Sequence, residues 1–127
     1  MAERGRIYCW PRNRDLGDSK TRPVLVIAPD AATSCSSRWV VIPISSDPRL
    51  ENQPLAVALP ANPDTGLNQQ SYAMAWQPTT VLKHQLDGPL GRVTPAQLCS
   101  VLQALTTALD VAMLEPWQDS PETMSQG

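Results

Sequence analysis

The sequence has no phenylalanine, one histidine and three cysteines, Cys9, Cys35 and Cys99. An odd cysteine count with no close pairing offers no disulfide framework and suits a reduced compartment, so the expected localisation is cytoplasmic. One His and three scattered Cys make a poor ligand set, so neither a metal nor another cofactor is expected. There is no Walker A loop, no dinucleotide glycine fingerprint, no Cys-x-x-Cys and no His-Glu-x-x-His. His84 lies in the polar stretch Lys83-His84-Gln85 and reads as an exposed turn residue rather than a catalytic base. No apolar run approaches the ~18–20 residues that span a bilayer. The charged N-terminus has no apolar stretch behind it, so neither a membrane partner nor a signal peptide is expected. Charged residues are only 17% of the chain and the net charge is −2, which gives no whole-protein case for nucleic-acid binding.

What is present is proline, thirteen residues in 127, about twice the usual ~5%. So much proline excludes a long-helix bundle and favours short strands with many turns. The length suits a single domain, expected over residues 1–115, with a polar, flexible tail at 116–127. Charge is uneven. Residues 1–22 carry six basic side chains (Arg4, Arg6, Arg12, Arg14, Lys20, Arg22) against three acids, a net of +3, while the other 105 residues are net −5. That segment is either a solvated loop or a local phosphate-binding edge on an otherwise acidic protein.

Arg6–Trp10 is a short β-prone run ending at Pro11, and residues 11–21 read as a polar loop. Pro23–Ala28 and Arg38–Ile44 are apolar and rich in β-branched residues, which predicts two buried strands. Leu55–Leu59 reads as a third central strand, and Ser71–Trp76 and Thr79–Leu82 follow, split by Pro78. Ala31–Ser37, Ser45–Pro54 and Ala61–Gln70 read as turns or loops. Thr94-Pro95-Ala96-Gln97 forms a capping box with Pro at the first helical position. Leu98, Val101, Leu102, Leu105, Leu109, Ala112 and Met113 then repeat at helical spacing, predicting a helix of roughly five turns that Pro116 stops. The expected fold is mainly β, of the α+β kind: a small, curved antiparallel sheet, SH3-like and barrel-like, with one C-terminal α-helix.

Chemistry has one candidate location. Lys20-Thr21-Arg22-Pro23 enters one buried strand and Pro43-Ile44-Ser45-Ser46 leaves the next. Adjacent antiparallel strands bring Arg22 and the hydroxyls of Ser45 and Ser46 to one edge of the sheet. An Arg fork with two hydroxyls suits a phosphate or carboxylate oxyanion. The same pieces also describe a surface arginine and a Ser-Ser turn closing a strand end.

Arg4-Gly5-Arg6-Ile7-Tyr8, Arg22-Pro23-Val24-Leu25-Val26-Ile27 and Val40-Val41-Ile42-Pro43-Ile44-Ser45-Ser46, with Gly66-Leu67, Gln77 and Leu90-Gly91-Arg92-Val93, resemble in order and spacing the MazF/PemK family of toxins. The resemblance covers residues 4–112. It implies a CcdB/PemK-type barrel and a homodimeric toxin of a toxin–antitoxin module. It further implies metal-independent cleavage of single-stranded RNA, and silencing by a cognate antitoxin whose flexible tail lies along the RNA groove. By position it assigns Arg22 to the catalytic Arg, which stabilises the charged phosphorane or protonates the leaving oxygen. Ser45 falls on the hydroxyl that holds the phosphate. RNA contacts fall on Arg12, Arg14, Lys20, Ser46, Trp76 and Gln77.

The chain departs from the pattern where the family carries Asp before Gln77: here that residue is Trp76. A Trp cannot take a proton, so a mechanism with that Asp as general base is excluded. Trp76 can stack on a base or pack in the core or a dimer contact. Arg6 also stands where an Asp is common after the first Gly. An alternative function on the same fold is a non-catalytic or gyrase-directed interaction protein, although the ten-residue tail after Trp117 sets it apart from CcdB.

Overall fold

The computed structural model describes residues 3–11 and 22–110. Seven strands form one antiparallel sheet: β1 (Arg6–Trp10), β2 (Arg22–Val26), β3 (Arg38–Ser45), β4 (Ala56–Leu59), β5 (Ser71–Met74), β6 (Thr79–Leu82) and β7 (Asp87–Arg92). Their order is β4-β5-β3-β2-β1-β7, with β6 also on β3. The edge strands β4 and β7 do not pair, so the sheet is curved and open rather than a closed barrel. A one-turn helix, α1 (Asp30–Thr33), lies between β2 and β3, and α2 (Pro95–Leu109) packs on the sheet.

The apolar runs become buried strands because both faces of β2 and β3 are covered. Leu25, Ile27, Ile42 and Ile44 enter one core with Ile7, Leu59, Ala73 and Val101. Val24, Val26, Trp39 and Val41 enter a second core on the opposite face with Tyr8 and Val81. Leu55–Leu59 does not become a central strand: β4 is at the edge of the sheet, next to β5 alone. Its mixed exposure is that of an edge. Asp87–Arg92 pairs with β1 although its side chains are mostly exposed, and this polar, glycine- and proline-containing run carries no strand pattern in the sequence.

β3 is long enough to serve two partners along one margin. Its first half pairs with β6 and its last two residues pair with β5. Between Ile44↔Ala73 and Val41↔Thr79 the β5–β6 side has three residues more than β3. The extra length is the bulge holding Trp76 and Gln77. It lies beside Pro43, whose missing N–H falls on that margin, since Val40 directs its carbonyl to Ile27 on the β2 side and successive residues alternate.

α2 begins as expected. Thr94 accepts a hydrogen bond from the Gln97 N–H, and the Gln97 side chain accepts one from the Thr94 N–H. It is shorter than the periodicity suggested: about four turns, ended by Asp110 in the left-handed region at φ 56°. Ala112, Met113 and the tail at 116–127 lie outside the described residues. Val101 is fully buried, whereas Leu98, Leu102 and Leu105 are half-buried against the core and Leu109 is 58% exposed. Val101→Ala is therefore expected to cost about 2–3 kcal/mol and Leu102→Ala less, about 1–2, measured by urea unfolding. A larger loss at Leu102 would mean a different helix phase.

Tyr8 donates to Glu3 Oε1 at 2.6 Å, and Asp30 accepts the backbone N–H groups of Glu3 and Arg4, which fixes the N-terminal segment on the sheet. Burial, then the Glu3 contact, holds the Tyr8 phenol above its ordinary pKa. All three cysteines are free. Among the described residues no helix is long and apolar enough to cross a membrane.

Candidate phosphate-binding site

The β2–β3 ladder runs from Val26↔Val41 to Val24↔Pro43 and stops. It stops because Pro23, the next residue directed at β3, has no N–H to give. Continuing the same register by two residues sets Arg22 opposite Ser45. Trp10 pairs with Arg22 on the other side, Ser45 with Tyr72, and Tyr72 with Ala58. Trp10, Arg22, Ser45, Tyr72 and Ala58 thus form one row across five strands, each step about 4.8 Å. All five belong to the same face of the sheet, because they alternate with neighbours such as Ile44 and Ala73 that enter the opposite core.

Arg22 is half-buried. Among the described residues no hydrogen bond or ion pair engages its guanidinium. The Ser45 hydroxyl accepts a hydrogen bond from the Asp47 N–H at 3.2 Å, which orients it and leaves its own proton to donate outward. Asp47 caps the 3₁₀ turn Pro48–Asn52, accepting from the Arg49 N–H at 2.9 Å and from the Arg49 guanidinium at 2.7 Å. Hydrogen bonding from the Arg49 side chain holds the Asp47 carboxyl below its ordinary pKa. Arg49 is therefore paired with Asp47, and Arg22 is the one cation among the five residues of the row.

Ser46 is exposed and lines an open cleft of about 720 Å³ beside the row, with Tyr72 in its wall. Trp76 and Gln77 lie in the bulge on the far margin of β3. Trp76 is half-buried and belongs to neither core, and Gln77 is exposed, its N–H donating to the Met74 carbonyl at 3.0 Å. Arg12, Arg14 and Lys20 lie outside the described residues. Linear reading missed Trp10, Tyr72 and the cleft beside it. The signal for Tyr72 was its phase on β5, opposite to that of the apolar Ala73 and Ala75, but its neighbours appear only once Ser45↔Tyr72 fixes the register. Among the described residues no three His, Cys, Asp or Glu side chains are gathered to hold a metal.

The architecture is shared with solved structures. A mycobacterial endoribonuclease, in complex with its cognate antitoxin, is 27% identical, with 85% of this chain and 94% of that one covered and a TM-score of 0.70. The Mycobacterium tuberculosis toxin MazF-mt6 is 23% identical over 83% of this chain and 96% of its own, with a TM-score of 0.69. A MazE–MazF structure from Deinococcus radiodurans is 19% identical over 84% and 93%, with a TM-score of 0.67. These last two speak for the fold alone. No curated protein matches the chain by sequence. The family model for the PemK-like, MazF-like toxins of type II toxin–antitoxin systems matches residues 3–109, and the chain belongs to that family.

Proposed function

We propose that the protein is the toxin of a type II toxin–antitoxin pair and acts as an endoribonuclease on single-stranded RNA in the cytoplasm. The observation that supports this reading most is the half-buried Arg22, unpaired among the described residues and opposite the pre-oriented Ser45 when the β2–β3 register is continued by two residues. An uncompensated guanidinium beside a directed donor is the complement of a phosphate.

In the proposed step the RNA 2′-oxygen attacks the adjacent phosphorus. The O2′–P bond forms and the P–O5′ bond breaks, leaving a 2′,3′-cyclic phosphate and a 5′-hydroxyl. The 2′-hydroxyl gives up its proton to solvent and the departing 5′-oxygen takes one from solvent. Arg22 acts as a charge partner for the phosphorane rather than as the acid, because a guanidinium keeps its protons. Ser45 holds a non-bridging oxygen. The Trp76 indole is neither an acid nor a base near neutral pH, so catalysis rests on positioning and charge stabilisation. The test is purified protein on mixed-sequence single-stranded RNA, with product ends mapped. Cyclic-phosphate ends, formed equally in EDTA, are expected. A folded protein that cuts no RNA would overturn the reading in favour of an interaction protein.

The partners that follow are a second copy of the chain and an antitoxin whose tail competes with RNA along the row. Leu90 and Leu109 are large apolar side chains left exposed on one copy. Light scattering is expected to give twice the 13.9 kDa chain mass at micromolar concentration. A monomer there would count against the dimer.

A further inference from the structure

The cleft beside Ser46 differs chemically from the phosphate site. Among the described residues its one ionisable side chain other than the Tyr72 phenol is Glu51, a carboxylate, which repels phosphate. Its floor includes Ala56 and Ala58, small side chains that leave room for a flat group. Gln69 and Gln70 add two carboxamides at the rim. Tyr72 is 7% exposed, yet its hydroxyl makes no hydrogen bond among the described residues. A buried phenol ordinarily finds a partner, so this donor is built for something that enters the cleft. The volume, about 720 Å³, falls in the range of small-ligand sites and accommodates a base with its ribose.

The walls are rigid. Glu51 belongs to the 3₁₀ turn that Asp47 caps, closed by Leu50 N–H to the Asp47 carbonyl and Gln53 N–H to the Leu50 carbonyl, both at 3.0 Å. Tyr72 is held between Ser45 and Ala58 by strand pairing. The cleft therefore lies one strand from Ser45, about 4.8 Å, the reach from a phosphate to its own nucleotide's base.

On the ribonuclease reading above, we infer that this cleft is a base-reading pocket selective for guanine in the RNA beside the cut. Guanine is the base whose Watson–Crick edge offers two adjacent N–H donors, which a carboxylate takes as a parallel pair. Its O6 and N7 are acceptors for the Tyr72 hydroxyl and the Gln69 or Gln70 amide. Uracil and cytosine lack the paired donors, and adenine presents one amino group beside a ring acceptor that faces the Glu51 carboxylate unfavourably.

The test is cleavage of a randomised single-stranded RNA pool by the full chain, with base frequencies counted around each cut. Wild type is expected to enrich guanine at one fixed position next to the cut. Glu51→Gln, at an exposed site, should lower the ratio of cutting at guanine to cutting at the other three bases by roughly 10- to 100-fold. Tyr72→Phe keeps the ring and should lower that ratio by roughly 2- to 10-fold at an unchanged Tm. RNA that is cut without a guanine preference, or variants that lose activity at all sites with the ratio intact, would overturn the pocket and leave the ribonuclease reading standing. Failure of wild type to cut any member of the pool would remove both.

Discussion

Arg22→Ala is expected to reduce RNA cleavage by roughly 10²–10³-fold, the scale on which one transition-state donor acts. The effect should be large because, among the described residues, no other cation of the row is free to replace the charge. Arg49 is committed to Asp47, and Glu51 in the adjoining cleft has the wrong sign. Arg22→Lys should recover part of the loss, since an ammonium keeps the charge but loses the fork that meets two oxygens at once. Ser45→Ala should cost less than Arg22→Ala, because a hydroxyl is a neutral donor. Arg38→Ala is the charge control. Arg38 is exposed at the opposite end of β3 from Ser45, about 23 Å away along the strand, and its loss should change the rate less than twofold. Trp76→Ala should leave the acidic limb of the pH–rate profile where it is, as no base is removed. Cleavage that survives Arg22→Ala undiminished would sink the site.

The parts of this arrangement that were legible in the sequence are those written in local chemistry. The Thr94–Gln97 box specified the start of α2 to the residue, and the β-branched runs around Leu25 and Ile42 marked the two strands buried on both faces. The pairing of β2 with β3 was legible from their apolar runs, and the meeting of Arg22 with Ser45 is the continuation of that register by two residues. What stayed hidden depends on which strands become neighbours. β7 shows no apolar alternation because its outward side chains face solvent and its backbone, not its side chains, makes its main contacts. Leu55–Leu59 looks central by composition, but its place at the sheet edge is set by β5 occupying the margin of β3. Tyr72 gains meaning only from the cleft formed with the loop after Ser45, which lies 27 residues earlier in the chain. The periodicity of α2 overshot its end because apolar spacing continues past Asp110, whose left-handed backbone caps the helix.

Gly66→Ala and Gly91→Ala are expected to be the most damaging single-methyl changes in the protein, each costing about 3–5 kcal/mol. The reason lies in how the open sheet is sealed. After edge strand β4 the chain crosses to the other edge strand, β7, and the loop of residues 60–67 lies directly on it. The loop is made stiff by Thr65, which is 1% exposed: its hydroxyl donates to the Pro60 carbonyl at 2.7 Å, and its N–H donates to Asn62 Oδ1 at 2.9 Å. Arg92 N–H donates to the Asp64 carbonyl at 2.8 Å, so the loop satisfies backbone that an edge strand would leave open. At this distance there is no room for a side chain on either partner. A Cβ on Gly66 would collide with the Leu90 carbonyl, and one on Gly91 with the Asp64 and Thr65 backbone. Gly66 also has φ +72°, which adds about 1–2 kcal/mol for alanine and most other L side chains. Asparagine tolerates that φ but still brings a Cβ, so Gly66→Asn should rescue little. Thermal unfolding would show each variant lowered by on the order of 10–20 °C. Cleavage should fall in step with the folded fraction rather than beyond it, because the glycines shape the frame and not the phosphate row. A Gly91→Ala protein with wild-type Tm would mean that loop 60–67 stands further from β7 than this packing allows.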